Sequence, residues 1–438
     1  MVCIARSWTR RRILHGLSLG GFVLASACGP RSKLVAPGTS AGPDQGTKTP
    51  DEPDFSGLQG FCDAVPGIGS DEYADRRRRV RERMAEAGID ALLLEAGPSL
   101  FYFTGIRWRQ SERPLLYLLP LADEASWIGP AFEAGSLQEQ VSGAGAIHLW
   151  EEHEGPNRAL AARVGAFKRI AIDPVMRLFV VDGLRRAAPS VDVAIDPGVI
   201  RHTRMIKSPA EIALLQRANE ATKAALREVA TRVVPGMRES AIAAMVRGAQ
   251  AAAGLSEIWV LALAGSNAAF PHGTQHEREL MPGEGILVDT GGSLQGYRSD
   301  ISRTWFVGRP PPELAKAWAT VREAQSKSFE AMRPGVSCAS IDAIARAVID
   351  GAGHGPAYRR FTHRLGHGIG LQVHEDPYLV GGEETLLRPG MVMSNEPGLY
   401  VAGEWGIRIE DIVVITDKGA EIFGPRIASL EDPFALSS

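Results

Sequence analysis

The sequence PGEGILVDTGGSLQGYRSDISRTW, residues 282–305, carries two acidic residues on a pattern typical of a β-hairpin. Asp289 ends an apolar run six residues after Gly283, and Asp300 precedes a second apolar segment eleven residues later. Side chains of a strand alternate between its two faces, and neighbouring antiparallel strands can present residues to the same side. The pattern therefore predicts that Asp289 and Asp300 lie close together.

The same spacing returns in PGMVMSNEPG, residues 389–398. Glu396 stands six residues after Gly390, and Glu410 follows fourteen residues later in WGIRIEDIVVI, residues 405–415. The repeated spacing predicts a second hairpin with its own pair of carboxylates.

The glycine-rich sequence HRLGHGIGLQVHEDP, residues 363–377, lies between the two acidic pairs and contributes His363, His367 and His374. Four carboxylates brought together repel one another unless protons or cations compensate their charge. Two divalent cations would neutralise four carboxylates, and oxygen ligands with one imidazole suit Mn, Co, Fe or Zn. A single acidic residue is usually exposed to solvent and binds nothing, so it is the repeated spacing that favours a metal site.

Five motifs, in a fixed order over about 140 residues, resemble the pita-bread metallopeptidases, the group that contains methionine aminopeptidase, aminopeptidase P and prolidase. They are PHG (271–273), VDTGGSLQGYRSDISRTW (288–305), HRLGHGIGLQVHEDPYL (363–379), MVMSNEPGLY (391–400) and GIRIED (406–411). The resemblance implies an α/β (α+β) protein. A creatinase-like N-terminal α/β domain, residues 67–203, is then followed by a pseudo-twofold pita-bread catalytic domain, residues 204–430.

The resemblance also assigns the metal ligands. It implies that Asp289 binds one metal ion, that His367 and Glu396 bind the other, and that Asp300 and Glu410 bridge both. All five positions carry a ligand residue in this sequence. This complete set is unlike the creatinase branch, which shares the fold but does not keep the intact ligand set.

Further roles follow from the same motifs. The resemblance implies that His272 and His374 contact the substrate and either stabilise the transition state or move protons, and that Glu396 carries a proton to the leaving nitrogen. His363 is expected to touch the scissile peptide. Arg408 is expected either to brace a ligand carboxylate or to bind the substrate.

The implied activity is hydrolysis of Xaa-Pro bonds, at peptide N-termini or in dipeptides, by a hydroxide held between two divalent metal ions. Manganese is the first candidate for these ions, and Co, Zn or Fe are alternatives. The two other hypotheses are a peptidase or amide hydrolase of the same fold without proline specificity, and a non-catalytic binding protein. The resemblance is also compatible with a homodimer.

Helix signals outside the motifs are repeated as well. Ser208 starts SPAE, a sequence typical of a helix N-terminus with a capping box. Pro235 and Pro334, each followed by glycine, are 99 residues apart. Helix patterns on either side of each proline predict that a helix pair followed by a hairpin with two carboxylates occurs twice.

The preceding region alternates helical and strand-like patterns. YADRRRRVRERMAEAGI predicts an amphipathic helix, and the arginines at 76–79 are expected on its solvated face. DALLLEAG, FYFTGI, PLLYLLPL, ASWIG, RIAID and VDVAI are expected strands. Methionine aminopeptidases usually lack such a domain, so its presence favours the proline-specific members of the group.

Residues 1–27 have the features of an export signal. TRRRILH resembles a twin-arginine signal and is followed by a short apolar run and Cys28. Cys28 is expected to be lipidated, which would make the protein an exported, periplasmic or cell-envelope lipoprotein attached to the membrane. Cleavage after Ala27, which would release a soluble exported protein, is the alternative. The chain from Gly29 to about Gly60 is rich in Gly, Pro, Ser, Thr and Asp and has few large apolar residues, so residues 28–66 are expected to form a flexible linker.

Charge content excludes one class of partner. The chain has 48 basic and 51 acidic residues and a formal net charge of −3, so no basic excess points to nucleic acid. The peptide substrate is what the resemblance to the metallopeptidases implies. Cys62 and Cys338 are expected to be two unrelated thiols.

Overall fold

The computed structural model describes residues 53–141, 145–356, 358–427 and 429–434. The export signal and residues 28–52 of the expected linker lie outside the described residues. The described chain has the α/β architecture that the sequence predicts, with a six-stranded sheet first and a larger helix-and-sheet domain after it.

The N-terminal region forms one mixed sheet with the order β4-β3-β2-β1-β5-β6. Its strands are β1 Ala91–Glu95, β2 Leu116–Pro120, β3 Ser126–Pro130, β4 Ala146–Trp150, β5 Arg169–Ile172 and β6 Asp192–Ile195. Its helices are α1 Ser70–Glu86, α2 Pro98–Thr104, α3 Ala134–Val141, α4 Pro156–Val164, α5 Leu178–Ala187 and α6 Val199–Met205, with a 3₁₀ turn at Ala131–Glu133. β1 pairs in parallel with β5 and antiparallel with β2.

All five residues of β1 are buried because apolar clusters cover both faces of the sheet. Leu92 packs in one cluster with Val80 of α1. Leu93 points the other way and packs in a second cluster with Leu160 of α4 and Leu184 of α5. A strand covered on both faces carries apolar residues on both, which explains the continuous run at 91–94, while the buried Glu95 at its end pairs with Arg177.

FYFTGI was expected to be a strand, and this prediction is wrong. Residues 98–104 form α2, which starts with Pro98 in the first turn and ends at Gly105 with a φ of 74°. Proline is favoured at a helix start, and glycine adopts this left-handed conformation without steric strain. These two residues enclose a single helical segment, whereas a short apolar run by itself fits either structure.

The second domain contains two helix pairs, each followed by a sheet, as the repeated signals predict. The helices are α7 Pro209–Ala230, α8 Glu239–Ala252, α9 Pro312–Ala331 and α10 Cys338–Gly351. Ser208 and Glu211 form the expected capping box at the start of α7.

The first helix pair is followed by a sheet of order β10-β8-β7, with β9 paired to β8. The second is followed by a sheet of order β12-β11-β13-β16-β17 and by the hairpin β14-β15. The strands are β7 Ser256–Ala264, β8 Gly285–Leu294, β9 Tyr297–Arg298, β10 Ile301–Phe306, β11 Gly366–Gly368, β12 Glu375–Leu379, β13 Val392–Asn395, β14 Gly398–Val401, β15 Trp405–Arg408, β16 Asp411–Ile415 and β17 Ala420–Ile422; a 3₁₀ turn spans Gly265–Ala269.

The last part of the expected linker is packed against the second domain. Phe55 is 9% exposed and lies in a cluster with Leu226 of α7 and Ile242 of α8, next to a 3₁₀ turn at Ser56–Leu58. Cys62 is also buried and carries a free thiol. Residues 53–66, the described part of the expected linker, therefore belong to packed chain, because their aromatic and apolar side chains find partners in the second domain.

The two domains share a hydrophobic cluster that contains Val80 of α1 and Leu214 of α7. Arg76 was expected on a solvated face, but it is 1% exposed at this junction. Its guanidinium donates to Glu72 and to the Tyr297 hydroxyl. Arg76 is buried because its charge is matched by acidic and polar groups of the junction. Among the described residues, no helix combines the length and apolarity that crossing a membrane requires.

Candidate metal centre

The two carboxylate pairs occupy equivalent places in the two halves of the second domain. Asp289 lies in β8 and faces Ser302 of β10 in the antiparallel register, so Asp300 is the diagonal neighbour of Asp289 on the same face. Glu396 directly follows β13 and Glu410 directly precedes β16. Antiparallel pairing of these two strands brings both glutamates to one end of the ladder.

The five predicted ligands are brought together. Three overlapping groups have ligand atoms within 4.8 Å of one another, and their members are Asp289, Asp300 and Glu410; His367, Glu396 and Glu410; and Asp300, His367 and His374. Asp300 and Glu410, the two residues predicted to bridge both metals, are only 4% and 2% exposed.

Burial makes the charge of this cluster costly. Burial, followed by the charges of Glu410 and Asp289, raises the pKa of Asp300 well above its usual range. Burial and the neighbouring Glu396 and Asp289 do the same to the pKa of Glu410. Each of these groups therefore favours a proton or a cation beside it.

The orientation of His367 fits metal binding. Its Nδ1 lies 3.1 Å from the carbonyl oxygen of Gly368, which can only accept, so Nδ1 carries the proton. Its Nε2 then faces the Glu396 carboxylate at 3.1 Å and the Asp300 carboxylate at 3.6 Å. Nε2 and the carboxylate oxygens all carry lone pairs, so either a second ring proton, on Nε2, or a cation must lie between them. A metal ion would displace this second proton when it binds.

Glu396 is ionised in this environment. Burial alone would raise its pKa, but the hydrogen bond and charge of His367, together with His363 and Arg408, lower the pKa to about 2. The Ser394 hydroxyl donates to Glu396 Oε1 at 3.0 Å and accepts from the His367 backbone N–H. Ser394 thus holds two ligand residues in place.

A buried oxygen without a partner completes the test of metal binding. Oε1 of Glu410 is buried and has no hydrogen-bond partner among the described residues, although Oε2 accepts from the Ser302 hydroxyl at 2.8 Å. An unpaired buried carboxylate oxygen is costly unless something binds it. The five side chains therefore fit two divalent cations, which would bind this oxygen and balance four carboxylates.

Arg408 braces the ligands from behind. It donates to Asp289 Oδ2 at 2.6 Å, to the Ser302 hydroxyl at 2.8 Å, to the Tyr400 hydroxyl at 2.8 Å and to the carbonyl oxygen of Pro271 at 3.1 Å. These contacts give Arg408 the bracing role that the sequence suggested, while its contact with a substrate stays a prediction.

His363 belongs to the same hydrogen-bonded chain. Its Nδ1 donates to the carbonyl oxygen of Arg364 at 2.8 Å, so its Nε2 accepts from the Tyr400 hydroxyl at 2.9 Å. That hydroxyl is free to donate because it accepts from Arg408. Burial is the main reason why the pKa of His363 falls to about 4, so the ring is neutral near pH 7.

His374 and His272 border the cluster on its exposed side. The His374 ring is 4.1 Å from the His367 ring, and burial followed by the charge of His367 lowers its pKa to about 4. His272 is exposed, and its charge contributes to the lowered pKa of both His363 and His374. All predicted site residues thus lie in or around one cluster, and their individual roles stay predictions.

Comparison with known proteins agrees with this geometry. Residues 213–417 match the sequence profile of "Metallopeptidase family M24", and residues 76–206 match "Creatinase/Prolidase N-terminal domain". A protein of Mycobacterium tuberculosis named "Probable dipeptidase PepE" is 36% identical over 353 residues, which cover 80% of this chain and 93% of the relative. This chain belongs to metallopeptidase family M24.

Other M24 proteins extend the comparison. The "Xaa-Pro dipeptidase" of Pyrococcus horikoshii is 30% identical over 351 residues, covering 79% of this chain and 96% of the relative. The crystal structure of dipeptidase PepE from Mycobacterium ulcerans superposes with a TM-score of 0.79 at 34% identity, covering 83% of this chain and 99% of that one. The present M24 protein is therefore a metallopeptidase with the pita-bread fold, and the binding-protein alternative is set aside.

Two residues of this M24 site, Ser302 and Ser394, were not named as functional from the sequence, and Tyr400 could be interpreted from the sequence either as a core residue or as a residue that supports the ligands. Ser302 and Ser394 each stand two residues from a ligand along the chain, Asp300 and Glu396. Alternation along a strand places such residues on the same face as the ligand, and this signal could have identified them.

Proposed function

We propose that this M24 metallopeptidase hydrolyses Xaa-Pro dipeptides with two divalent metal ions, of which manganese is the first candidate and Co, Zn or Fe are alternatives. The observation that carries the proposal is the convergence of five ligand side chains around the unpaired Oε1 of Glu410. Relatives that the chain covers almost completely are named as dipeptidases or Xaa-Pro dipeptidases, which supports dipeptides as substrates.

The ions, when bound, supply a Lewis acid for the scissile carbonyl and lower the pKa of a bound water. The residues of the chain do the rest. Glu396, a carboxylate at neutral pH, accepts a proton from the attacking water and delivers it to the leaving imino nitrogen of proline. His374 is neutral above about pH 4 and can donate a hydrogen bond to the developing oxyanion. Arg408 keeps Asp289 in its ligand position.

The test uses the purified protein, stripped of metal and reloaded separately with Mn, Co, Zn or Fe. Hydrolysis of Ala-Pro, Ala-Pro-Ala and Ala-Ala is compared, with Glu396→Gln as the control. We expect metal-dependent cleavage of Ala-Pro that the control loses. If the protein binds metal in stoichiometric amounts and cuts no Xaa-Pro bond, the substrate proposal is wrong but the site is correct.

A second candidate is dipeptide hydrolysis without proline specificity. The name of the Mycobacterium tuberculosis relative mentions a dipeptidase and no proline. Faster cleavage of Ala-Ala than of Ala-Pro would favour this candidate.

Export is a separate proposal. The twin-arginine signal and Cys28 support an exported lipoprotein that folds and acquires its metals before it crosses the membrane. Substitution of Lys for both Arg10 and Arg11 should retain the enzyme in the cytoplasm, and Cys28→Ser should prevent labelling with a radioactive fatty acid. Export of the double Lys variant would show that the signal is assigned wrongly.

Association into a homodimer is likewise proposed, and analytical ultracentrifugation would test it.

A further inference from the structure

Glu375 is a buried carboxylate of the second domain that is neutralised by the end of the N-terminal domain. It is the first residue of β12. Nη2 of Arg204, in α6, lies 3.2 Å from its Oε1, and Nζ of Lys207, just after α6, lies 3.9 Å from its Oε2. Burial would raise the pKa of Glu375, but the two cations and a backbone hydrogen bond together lower it. Glu375 is therefore ionised, and its charge ties α6 to the start of β12.

The same carboxylate closes the turn that carries His374. Oε1 of Glu375 accepts from the backbone N–H of Gln372 at 3.2 Å. The turn packs so closely on this oxygen that a Cβ at Gly370 would collide with it. The backbone of Glu375 is paired with β11 as well. One side chain thus holds the backbone on both sides of His374.

The His374 ring depends on this backbone for its position. Its side chain is exposed, and within the described residues no hydrogen bond orients the imidazole. Its ring contact is with His367, at 4.1 Å between the ring centroids. A donor to a developing oxyanion has to lie within about 0.5 Å of its productive place. A shift of the turn would therefore move the imidazole out of reach of that oxygen.

A second arginine of α6 offers a natural comparison. Arg201 stands one turn before Arg204, and its guanidinium lies 3.4 Å from Oδ1 of Asp376, the neighbour of Glu375. Arg201 is exposed and Asp376 is half-buried, whereas Arg204 and Glu375 are both buried. Water and salt screen an exposed ion pair, so it contributes little. The connection between α6 and the turn therefore depends on the buried pair.

We propose that Arg204 is a positioning residue, which acts through Glu375 to hold His374 where its ring can donate to the developing oxyanion. The inference rests on the proposed function, in which His374 has that role. All five predicted metal ligands lie in the second domain. Through Arg204 the N-terminal domain completes the geometry of a site to which it contributes no metal ligand.

The test compares the metal-loaded wild type with Arg204→Gln, Arg204→Lys and Arg201→Gln on Ala-Pro. In Arg204→Gln, kcat should fall about 10- to 100-fold and KM should change less than about 2-fold, because a bond to the oxyanion exists only in the transition state. The inhibition constant of a phosphinic analogue of Ala-Pro, which resembles the tetrahedral intermediate, should rise by the same factor. Arg204→Lys keeps the charge and should recover part of kcat. Arg201→Gln, the matched control, should stay within about 2-fold of the wild type.

A double-mutant cycle separates positioning from a general structural role. His374→Ala should lower kcat more than Arg204→Gln does. The double variant should be no slower than His374→Ala, within about 2-fold, because Arg204 then has no ring left to position. Glu375→Gln should reproduce the loss seen in Arg204→Gln. All rates are measured at a temperature at which circular dichroism shows the variant to be folded, and Arg204→Lys takes the place of Arg204→Gln in the cycle if the latter does not fold.

Three results would overturn the inference. Losses that multiply in the double variant would mean that Arg204 acts on something other than His374. A metal content below that of the wild type in Arg204→Gln would place its effect on the ligands. An equal loss in Arg201→Gln would point to a general effect of charge removal from α6.

Failure of the proposed function gives a different result. If the wild-type protein cuts Ala-Ala and not Ala-Pro, proline specificity is wrong, and the same cycle with Ala-Ala decides the role of Arg204. If the wild-type protein cuts no dipeptide, the proposed function and the inference are both wrong. If it cuts dipeptides and the losses in the cycle multiply, the inference alone is wrong.

Discussion

Glu410 and Asp411 are neighbours in the chain and are both buried, yet the protein compensates their charges in different ways. Asp411 accepts from Lys223 at 2.6 Å and from Arg303 at 2.7 Å. Burial would raise its pKa, but these two cations outweigh it and lower the pKa to about 2. Glu410 has a raised pKa and one oxygen without a hydrogen-bond partner in the described chain.

Their surroundings explain the difference. Asp411 begins β16 and points to the side where α7 contributes Lys223, whereas Glu410 points to the other side, towards the metal centre. Arg303 connects the two sides, because the same guanidinium that pairs with Asp411 also donates to the carbonyl oxygen of Glu410. We interpret a buried acid that is neutralised by side-chain cations, such as Asp411, as part of the structural framework. A buried acid without such cations, such as Glu410, is a candidate binding site for an ion from solution.

Glu410→Gln tests the metal side of this comparison and should have the largest effect. The variant removes the charge of a residue predicted to bridge both metals, so activity should fall on the order of 10³-fold or more. The metal-free variant should be at least as stable as the metal-free wild type at pH 7, because a buried unpaired charge has been removed. Activity assays and urea unfolding with and without metal measure both effects.

Addition of metal should raise the free energy of unfolding of the wild type more than that of Glu410→Gln. Saturating metal, at about 100 times its dissociation constant, should stabilise the wild type by about 2.7 kcal/mol for each ion bound and the variant by much less. A variant that is strongly destabilised without metal would show that Glu410 is a framework residue.

Asp411→Asn tests the opposite side. Removal of one partner leaves Lys223 and Arg303 buried without their counter-charge, so the free energy of unfolding should fall by about 3–5 kcal/mol. The folded variant should still bind metal, since its ligands are unchanged. A stable variant that fails to bind metal would contradict the division between the two sides.

The pH dependence of the stability lost in Asp411→Asn gives a further test of this comparison. The carboxyl of Asp411 has a pKa of about 2 when folded and one of about 3.9 when unfolded. A group whose pKa is depressed by folding contributes stability that is complete above the unfolded value and disappears as the pH falls through the folded value.

The difference in unfolding free energy between the wild type and Asp411→Asn should therefore be constant from pH 7 to about 5 and shrink between about 4 and 2. Metal-free proteins in urea at each pH provide the measurement. A difference that shrinks between pH 7 and 5 would mean that another group titrates with Asp411.

Ser302→Ala should have the smallest effect of the series. The Ser302 hydroxyl lies 2.8 Å from both Asp289 and Glu410, so its loss should weaken metal binding about 10- to 100-fold. Ser328→Ala is the matched control, since the Ser328 hydroxyl is buried against Asn395. Isothermal titration with Mn measures the affinity, and equal losses in both variants would point to a general effect of serine removal.

The sequence predicted the ligand cluster and the two helix pairs because each depends on short, repeated spacings. It could not predict the helix at Pro98–Thr104, since an apolar run of this length fits a strand as well, and the ends at Pro98 and Gly105 decide between them. The burial of Arg76 was also missed, because its partners Glu211 and Tyr297 belong to the other domain and no local pattern indicates them.

The ion pairs that neutralise the charge of Asp411 could not be predicted from the sequence either. Lys223, Arg303 and Asp411 come from a helix and two strands that are far apart in the chain, and only the folded structure brings them together. Ser302 bonds to Glu410 for the same reason, as a contact between the two halves of the catalytic domain.

The buried junction between the domains affects how the protein unfolds. Val80 and Leu214 share one core, and Arg76 has its charge partners on both sides of the boundary. If the N-terminal domain were detached, apolar surface of α7 would meet water and Glu211 would lose its cation. The two domains should therefore melt as a single cooperative unit, and a catalytic domain expressed alone should be prone to aggregate.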